Sequence, residues 1–331
     1  IVAPAIANKP CRGDQWGFGD AYSFSLTWAT TRQWAMGQMD DRAYGISSYQ
    51  ALDLVLAWIQ QQYQGLQLAV VTGFSTGAQL ALRWSVLSVE GSGGTTRAGL
   101  PLRTLVGAPS NVLYLDDTRP SEECTTDTED ARCSSFPLPE TGSRRRGTHV
   151  QKTCSGGYDQ FEFGLGGLDY GAAGTERGDA ARYLREGLGT VADLTAAVRA
   201  RFASKDVRFL VGTTDTKPCT VGACSEECGA MVTGVNRKQR MLNYMGHLEA
   251  VLGKPPRLGI FEGGHKHLLA FQSEPFANWT LAGLVTDSCN AVDEFMSLPT
   301  SAGAAAALHR VVVVASVSGL LWQVHSLVNS A

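Results

Sequence analysis

The stretch Gly73-Phe74-Ser75-Thr76-Gly77 constrains this chain more than any other. Before it runs Leu66-Gln67-Leu68-Ala69-Val70-Val71, a short apolar segment suited to a strand buried on both faces. After it, Ala78 to Leu87 holds good helix formers, with Leu80, Trp84 and Leu87 along one face. A strand that turns sharply into a helix with a serine at the apex is a nucleophile elbow. Glycines flank the serine because the turn is strained and the helix must pass close to the strand. An oxygen that gains charge during acyl transfer would sit at the positive end of that helix, within reach of the Thr76 N–H.

The surrounding sequence supplies a matching frame. Ser47 and Gln50 form a capping box, and Leu52, Val55, Leu56 and Ile59 then recur at helical spacing, with Gly65 near the stop. Leu102–Val106, Val207–Val211 and Arg257–Phe261 read as further apolar strands, with helices between Arg182 and Ala203, over Val235–Leu252, and within Phe276–Met296. Strands alternating with helices through tight connections predict an α/β fold with a mostly parallel sheet and helices on both faces. Ile1-Val2-Ala3-Pro4 reads as the end of a strand, and the stretch from there to about Arg42 as irregular. The expected organisation is a first core segment over 1–110, a cap-like insertion over 111–205, a second core segment over 206–300 and a hydrophobic tail over 301–331. Tyr158, Phe161, Phe163, Leu165, Leu168 and Tyr170 are the apolar anchors of the insertion.

A serine hydroxyl is a poor nucleophile at neutral pH, so it needs a base within hydrogen-bond reach and a third group to orient that base. Ser75, Asp215 and His265 occur in that order, each within a few residues of an apolar strand. Asp116 and Asp117, after the preceding strand, are rival acids, and His267 is a rival base. His149, His247, His309 and His325 lack a strand-end context and read as surface or packing residues. This chemistry needs no cofactor and no metal.

The formal net charge of −3 over 331 residues gives no general attraction to nucleic acid. Two local basic runs stand out: Arg144-Arg145-Arg146 reads as a solvated loop, and Arg237-Lys238-Gln239-Arg240 as the wet face of a helix. The eight cysteines lie mostly in polar, loop-like sequence, as disulfides of an oxidising compartment do. A zinc site at Cys219, Cys224 and Cys228 is the minor alternative. Asn278-Trp279-Thr280 is the one glycosylation sequon. In the tail, small residues at Ser301-Ala302-Gly303, a short spacer and the apolar run Val311–Trp322 admit three readings: a glycolipid-anchor signal, a spanning helix or a packed helix.

Several blocks resemble a poorly characterised family of α/β-hydrolases of fungi, protists and bacteria. They are Ile46-Ser47-Ser48-Tyr49 with Leu52-Asp53, Val71 through Gln79 with Arg83, and Ala108-Pro109-Ser110 with Tyr114-Leu115. Further on they are Tyr158-Asp159 with Phe163-Gly164-Leu165, Val211-Gly212 with Asp215, Gly234-Val235-Asn236-Arg237 with Arg240, and Gly264-His265 with Phe271. The resemblance runs from the first residues to about Ser273. It implies an α/β-hydrolase fold, with Ser75 as nucleophile, Asp215 as acid and His265 as base. The family commonly has His where Phe74 stands. Such proteins also carry a strand ahead of the Ile-Val-Ala-Pro strand, lying beside the elbow strand and ending in a His-Gly turn that supplies a second oxyanion donor. That piece is not in this sequence, so an N-terminally incomplete hydrolase is expected.

The expected activity is cleavage of an ester or related acyl bond in a small-molecule or lipid-like substrate. The expected location is extracellular or on the cell surface, with the tail as candidate membrane attachment. A non-catalytic binding or adhesion module on the same fold, and a serine peptidase, are the alternatives.

Overall fold

The computed structural model describes residues 31–39, 45–125, 132–139, 157–168, 176–281 and 311–317. Ile1–Pro4, Arg144–Arg146, Tyr170, His149, His309, His325, three of the cysteines and the rest of the tail lie outside these residues. In chain order come α1 (Thr31–Ala35), α2 (Ser48–Gln62), β1 (Leu68–Phe74), α3 (Thr76–Leu87) and β2 (Leu102–Gly107). Then follow α4 (Glu176–Leu188), α5 (Leu194–Ala203), β3 (Asp206–Gly212), α6 (Cys228–Met231) and α7 (Arg237–Leu252). The last are β4 (Arg257–Phe261), α8 (His267–Phe271), α9 (Glu274–Leu281) and β5 (Val311–Val317).

The strands form one sheet in the order β4-β3-β2-β1-β5, and every pairing is parallel. β1, the strand that carries the elbow, is buried along its whole length, as its unbroken apolar run requires. On one face α3 packs against β1 and β2 and is also contacted by α1, α4 and α5. These contacts explain why Gly77 to Leu87 are all buried, although one face sufficed to predict the helix. The capping box of α2 is present, and Leu52, Leu56 and Ile59 turn into the same core. On the other face Phe276 and Trp279 of α9 cover Leu68, Val70, Leu105 and the cluster of Phe74, Leu210 and Phe261. A parallel sheet clothed on both faces, with a strand–serine–helix elbow on an interior strand, is an α/β-hydrolase fold.

Four local expectations need correction. The irregular N-terminal stretch contains α1, whose Trp34 is buried and takes a hydrogen bond from Ser48 Oγ at its carbonyl. The single helical stretch before β3 is two helices, separated near Gly189, which sits at φ +69 where a helix cannot continue. The run Arg237–Arg240 is not a wet face: all four residues are buried. Its cations are solvated by protein carbonyls instead of water, Lys238 by Thr213 O at 2.9 Å and Arg240 by Gly234 O at 2.9 Å and Ser225 O at 2.8 Å.

The fourth concerns the tail. Residues 311–317 are a strand, not part of a helix, and they pair with β1 from Leu68↔Val311 to Phe74↔Val317. A run of valines stiff at χ1 suits a strand better than a helix. β5 thereby takes the sheet position beside the elbow strand for which the sequence offered no occupant. Among the described residues no helix is long and apolar enough to cross a membrane.

Candidate active site

Ser75 stands between the last residue of β1 and the first of α3 with φ 57 and ψ −119, a conformation that non-glycine residues rarely adopt. Three contacts hold it there. Its N–H donates to Gly107 O at 2.9 Å, tying the turn to the end of β2. Its own carbonyl accepts from Gln79 N at 3.2 Å, starting the helix. Gly73 lets the helix come this close, since a Cβ there would lie 2.1 Å from the Gly77 carbonyl oxygen. Ser75 and Thr76 remain half-exposed. The Thr76 N–H, at the start of α3, has no acceptor within the helix, as at any helix N-terminus.

Asp215 and His265 arrive from two neighbouring strand ends. Asp215 lies three residues beyond β3 and is 2% exposed; its backbone carbonyl accepts from Lys238 N at 3.1 Å. His265 lies four residues beyond β4, after Gly263 at φ +125, and its side chain keeps 26% of its exposure. His265 Nδ1 is 3.0 Å from Asp215 Oδ2, so the carboxylate orients the ring and leaves Nε2 for other work. The imidazole also packs on Phe74, the residue before the serine, with ring centroids 4.7 Å apart.

The sequence-derived set is therefore brought together in part. Asp215 and His265 are joined directly, and His265 reaches the elbow through Phe74. Among the described residues no hydrogen bond links Ser75 Oγ to His265; such contacts commonly tighten only when a substrate is bound.

Of the rival acids, Asp116 is engaged elsewhere. Asp116 pairs with Arg199 at 2.5 Å and accepts from the Thr118 hydroxyl at 2.6 Å. His247 is fully buried against Tyr114 and Phe136, and its Nε2 accepts from Leu115 N at 3.2 Å. Burial pulls its pKa down to about 3, so it stays neutral. His267 opens α8 and lies 6.3 Å from the Phe74 ring, with no acid beside it among the described residues.

Arg237 is the residue that sequence reading missed. It sits at the first position of α7, and its Nη1 lies 3.7 Å from Asp215 Oδ1. The signal that could have found it is the cation itself, at a helix N-terminus where the dipole disfavours positive charge.

Two described disulfides, Cys124–Cys133 and Cys219–Cys224, pin loops around the site, and Cys228 is disulfide-bonded as well. All three thiols of the alternative zinc set are thus consumed, and the described residues hold no cluster of three His, Cys, Asp or Glu suited to a metal ion. A separate cleft of about 320 Å³ is lined by Gln50, Asp53, Arg97, Tyr183 and Glu186 and shares no residue with the site.

No protein-family model and no curated sequence matches the chain. Among solved structures it is similar to poly(aspartic acid) hydrolase-1 from Sphingomonas sp. KT-1, at 15% identity over 74% of this chain and 69% of that one, with a TM-score of 0.42. It is also similar to LpqC, a poly(3-hydroxybutyrate) depolymerase from Bordetella parapertussis, at 15% identity over 81% of this chain and 69% of that one, again with a TM-score of 0.42. Likenesses this distant say nothing about what this chain acts on, and the reading of the site rests on its own geometry.

Proposed function

We propose that the chain is a serine hydrolase that cleaves an ester or related acyl bond. The observation that carries this reading is the strained Ser75, φ 57 and ψ −119, at a strand-to-helix turn whose neighbour Phe74 packs on a histidine already oriented by a buried carboxylate. Strain of that kind costs about 1–3 kcal/mol and persists where function requires it.

In the proposed cycle Ser75 Oγ attacks the acyl carbon and its proton passes to His265 Nε2. The Thr76 N–H stabilises the oxyanion, and Asp215 stabilises the imidazolium. Collapse of the tetrahedral intermediate breaks the ester bond, and His265 returns the proton to the leaving alcohol. Water, deprotonated by His265, then releases the acid and restores Ser75. The residues in these roles need no metal or cofactor. Disulfides fit an oxidising, extracytoplasmic setting.

A fluorophosphonate probe tests the reading, applied to the protein and to Ser75→Ala. Labelling that vanishes in the variant establishes an activated serine, and a panel of short- and long-chain esters against peptides then separates esterase from peptidase. No labelling of a well-folded protein would replace the hydrolase with a binding module on the same fold.

A further inference from the structure

We infer that Arg237 is a positioning residue that clamps and neutralises the outer oxygen of Asp215 and so sets the pH range in which His265 is an available base. This rests on the assignment of Asp215 and His265 proposed above. Asp215 presents one oxygen to each partner, Oδ2 to His265 Nδ1 at 3.0 Å and Oδ1 to Arg237 Nη1 at 3.7 Å. With the carboxylate 2% exposed and the arginine 8% exposed, little water lies between them to screen the pair.

The arginine is itself held in place. Its Nη2 donates to the carbonyl of Ala223, inside the short loop closed by the Cys219–Cys224 disulfide. That loop is fastened to the start of α7 by Cys219 N donating to Val235 O at 2.8 Å. Burial lowers the affinity of Arg237 for its proton and the charge of Asp215 opposes this, so the carboxylate accounts for a guanidinium at the positive end of a helix.

Three other charged groups near the pair are committed elsewhere. Lys238 Nζ bonds to Thr213 O, Arg240 bonds to loop carbonyls, and Glu262 lies 3.3 Å from the Thr213 hydroxyl on the exposed side. Lys266 follows His265 in the chain, and His267 opens α8 with its ring 6.3 Å from that of Phe74. Arg237 is the charge aimed at Asp215.

Removing a nearby positive charge lets the carboxylate favour the imidazolium more strongly, so more alkaline solution is needed to free the base. The experiment compares the protein with Arg237→Gln and Arg237→Lys. Fluorophosphonate labelling rate is followed against pH, and the His265 ring resonances are titrated by NMR. In R237Q both midpoints should move to higher pH, the direction that loss of a nearby positive charge requires. The labelling plateau at high pH should be kept within about threefold, and R237K should restore most of the shift. Arg237→Met, which keeps the apolar stem, repeats the test if R237Q does not fold. Unmoved midpoints in the charge-removing variants, or R237K behaving like R237Q, overturn the inference. The two failures separate cleanly: a protein that does not label at all defeats the hydrolase reading, while the NMR titration still decides the role of Arg237.

Discussion

A Cβ placed on Gly212 would lie 2.3 Å from the carbonyl oxygen of Gly263, so the ends of β3 and β4 touch backbone to backbone. Around that contact the two loops are laced together. Thr213 N donates to Phe261 O at 2.9 Å, Thr214 N to Gly263 O at 3.0 Å, and Gly263 N to the Thr213 hydroxyl at 3.1 Å. Asp215 lies three residues beyond one glycine and His265 two beyond the other. The 3.0 Å bond between their side chains is thus a consequence of how closely the strand ends approach.

Gly212→Ala should therefore damage the site more than the fold. The added methyl meets backbone and not a flexible side chain, so the loops must part, at a cost of about 1–3 kcal/mol. The expected outcome is a folded protein, by circular dichroism, whose fluorophosphonate labelling falls at least tenfold and whose urea midpoint drops. Wild-type labelling in G212A would show that the loop spacing does not govern the site.

The parts of this arrangement that sequence reveals are those that local chemistry dictates. Ser75, Asp215 and His265 each follow an apolar run and sit among glycines or threonines, because a side chain displayed at a strand end needs a tight turn to hold it. Arg237–Arg240 escaped the same reading, because a basic run on a helix is ordinarily wet. Only the folded chain shows the carbonyls of Ala223, Ser225, Gly234 and Thr213 converging to replace water. The valines of β5 were ambiguous for a different reason. A short apolar run has no periodicity to separate helix from strand, and its partner β1 lies more than 230 positions away in the chain.

The strain at Ser75 predicts a trade between stability and activity. Ser75→Gly removes the side chain that resists φ 57, while Ser75→Ala keeps a Cβ in the same strained turn. Both should abolish labelling, but S75G should unfold at higher urea than S75A, by about 1 kcal/mol after the entropy cost of glycine is set against the relieved strain. Equal midpoints would show that the turn is relaxed without its hydroxyl.

Asp53 makes stability depend on pH in a direction opposite to most paired acids. Burial raises its pKa to about 6, against the Trp84 indole N–H at 2.8 Å and the Tyr183 hydroxyl at 2.8 Å, which favour the carboxylate. Its folded value exceeds its unfolded one, so the native state binds the proton more tightly. Its contribution is complete below about pH 4 and declines as pH rises to about 6, by up to roughly 3 kcal/mol. Asp53→Asn removes the charge and keeps a hydrogen-bonding side chain. It should be the more stable form at pH 7.5 and should lose the slope between pH 4 and 6 in urea titrations. A slope unchanged in D53N would assign that dependence to another group.

The strongest structural test falls on β5. The seven pairings from Leu68↔Val311 to Phe74↔Val317 make β1 an interior strand, and β1 ends directly at Ser75. Without β5, the strand that leads into Ser75 would become an edge, with a row of unpaired N–H and C=O groups on one side. The register also brings the end of β5 level with Phe74, the residue on which the His265 ring packs. Loss of the strand should reach the site as well as the core. A chain ending at residue 310 is expected to lose stability, because β5 is the edge strand that covers β1, and to label more slowly than the full chain at every pH. Threonine in place of Val313 and Val314 tests the same strand more gently, because it keeps the β-branched shape and the backbone ladder. Those variants should retain labelling and lose less stability than the truncation. If the truncated chain matched the full one in both urea midpoint and labelling rate, β1 would not depend on β5, and residues 311–317 would be available for a separate role such as membrane attachment.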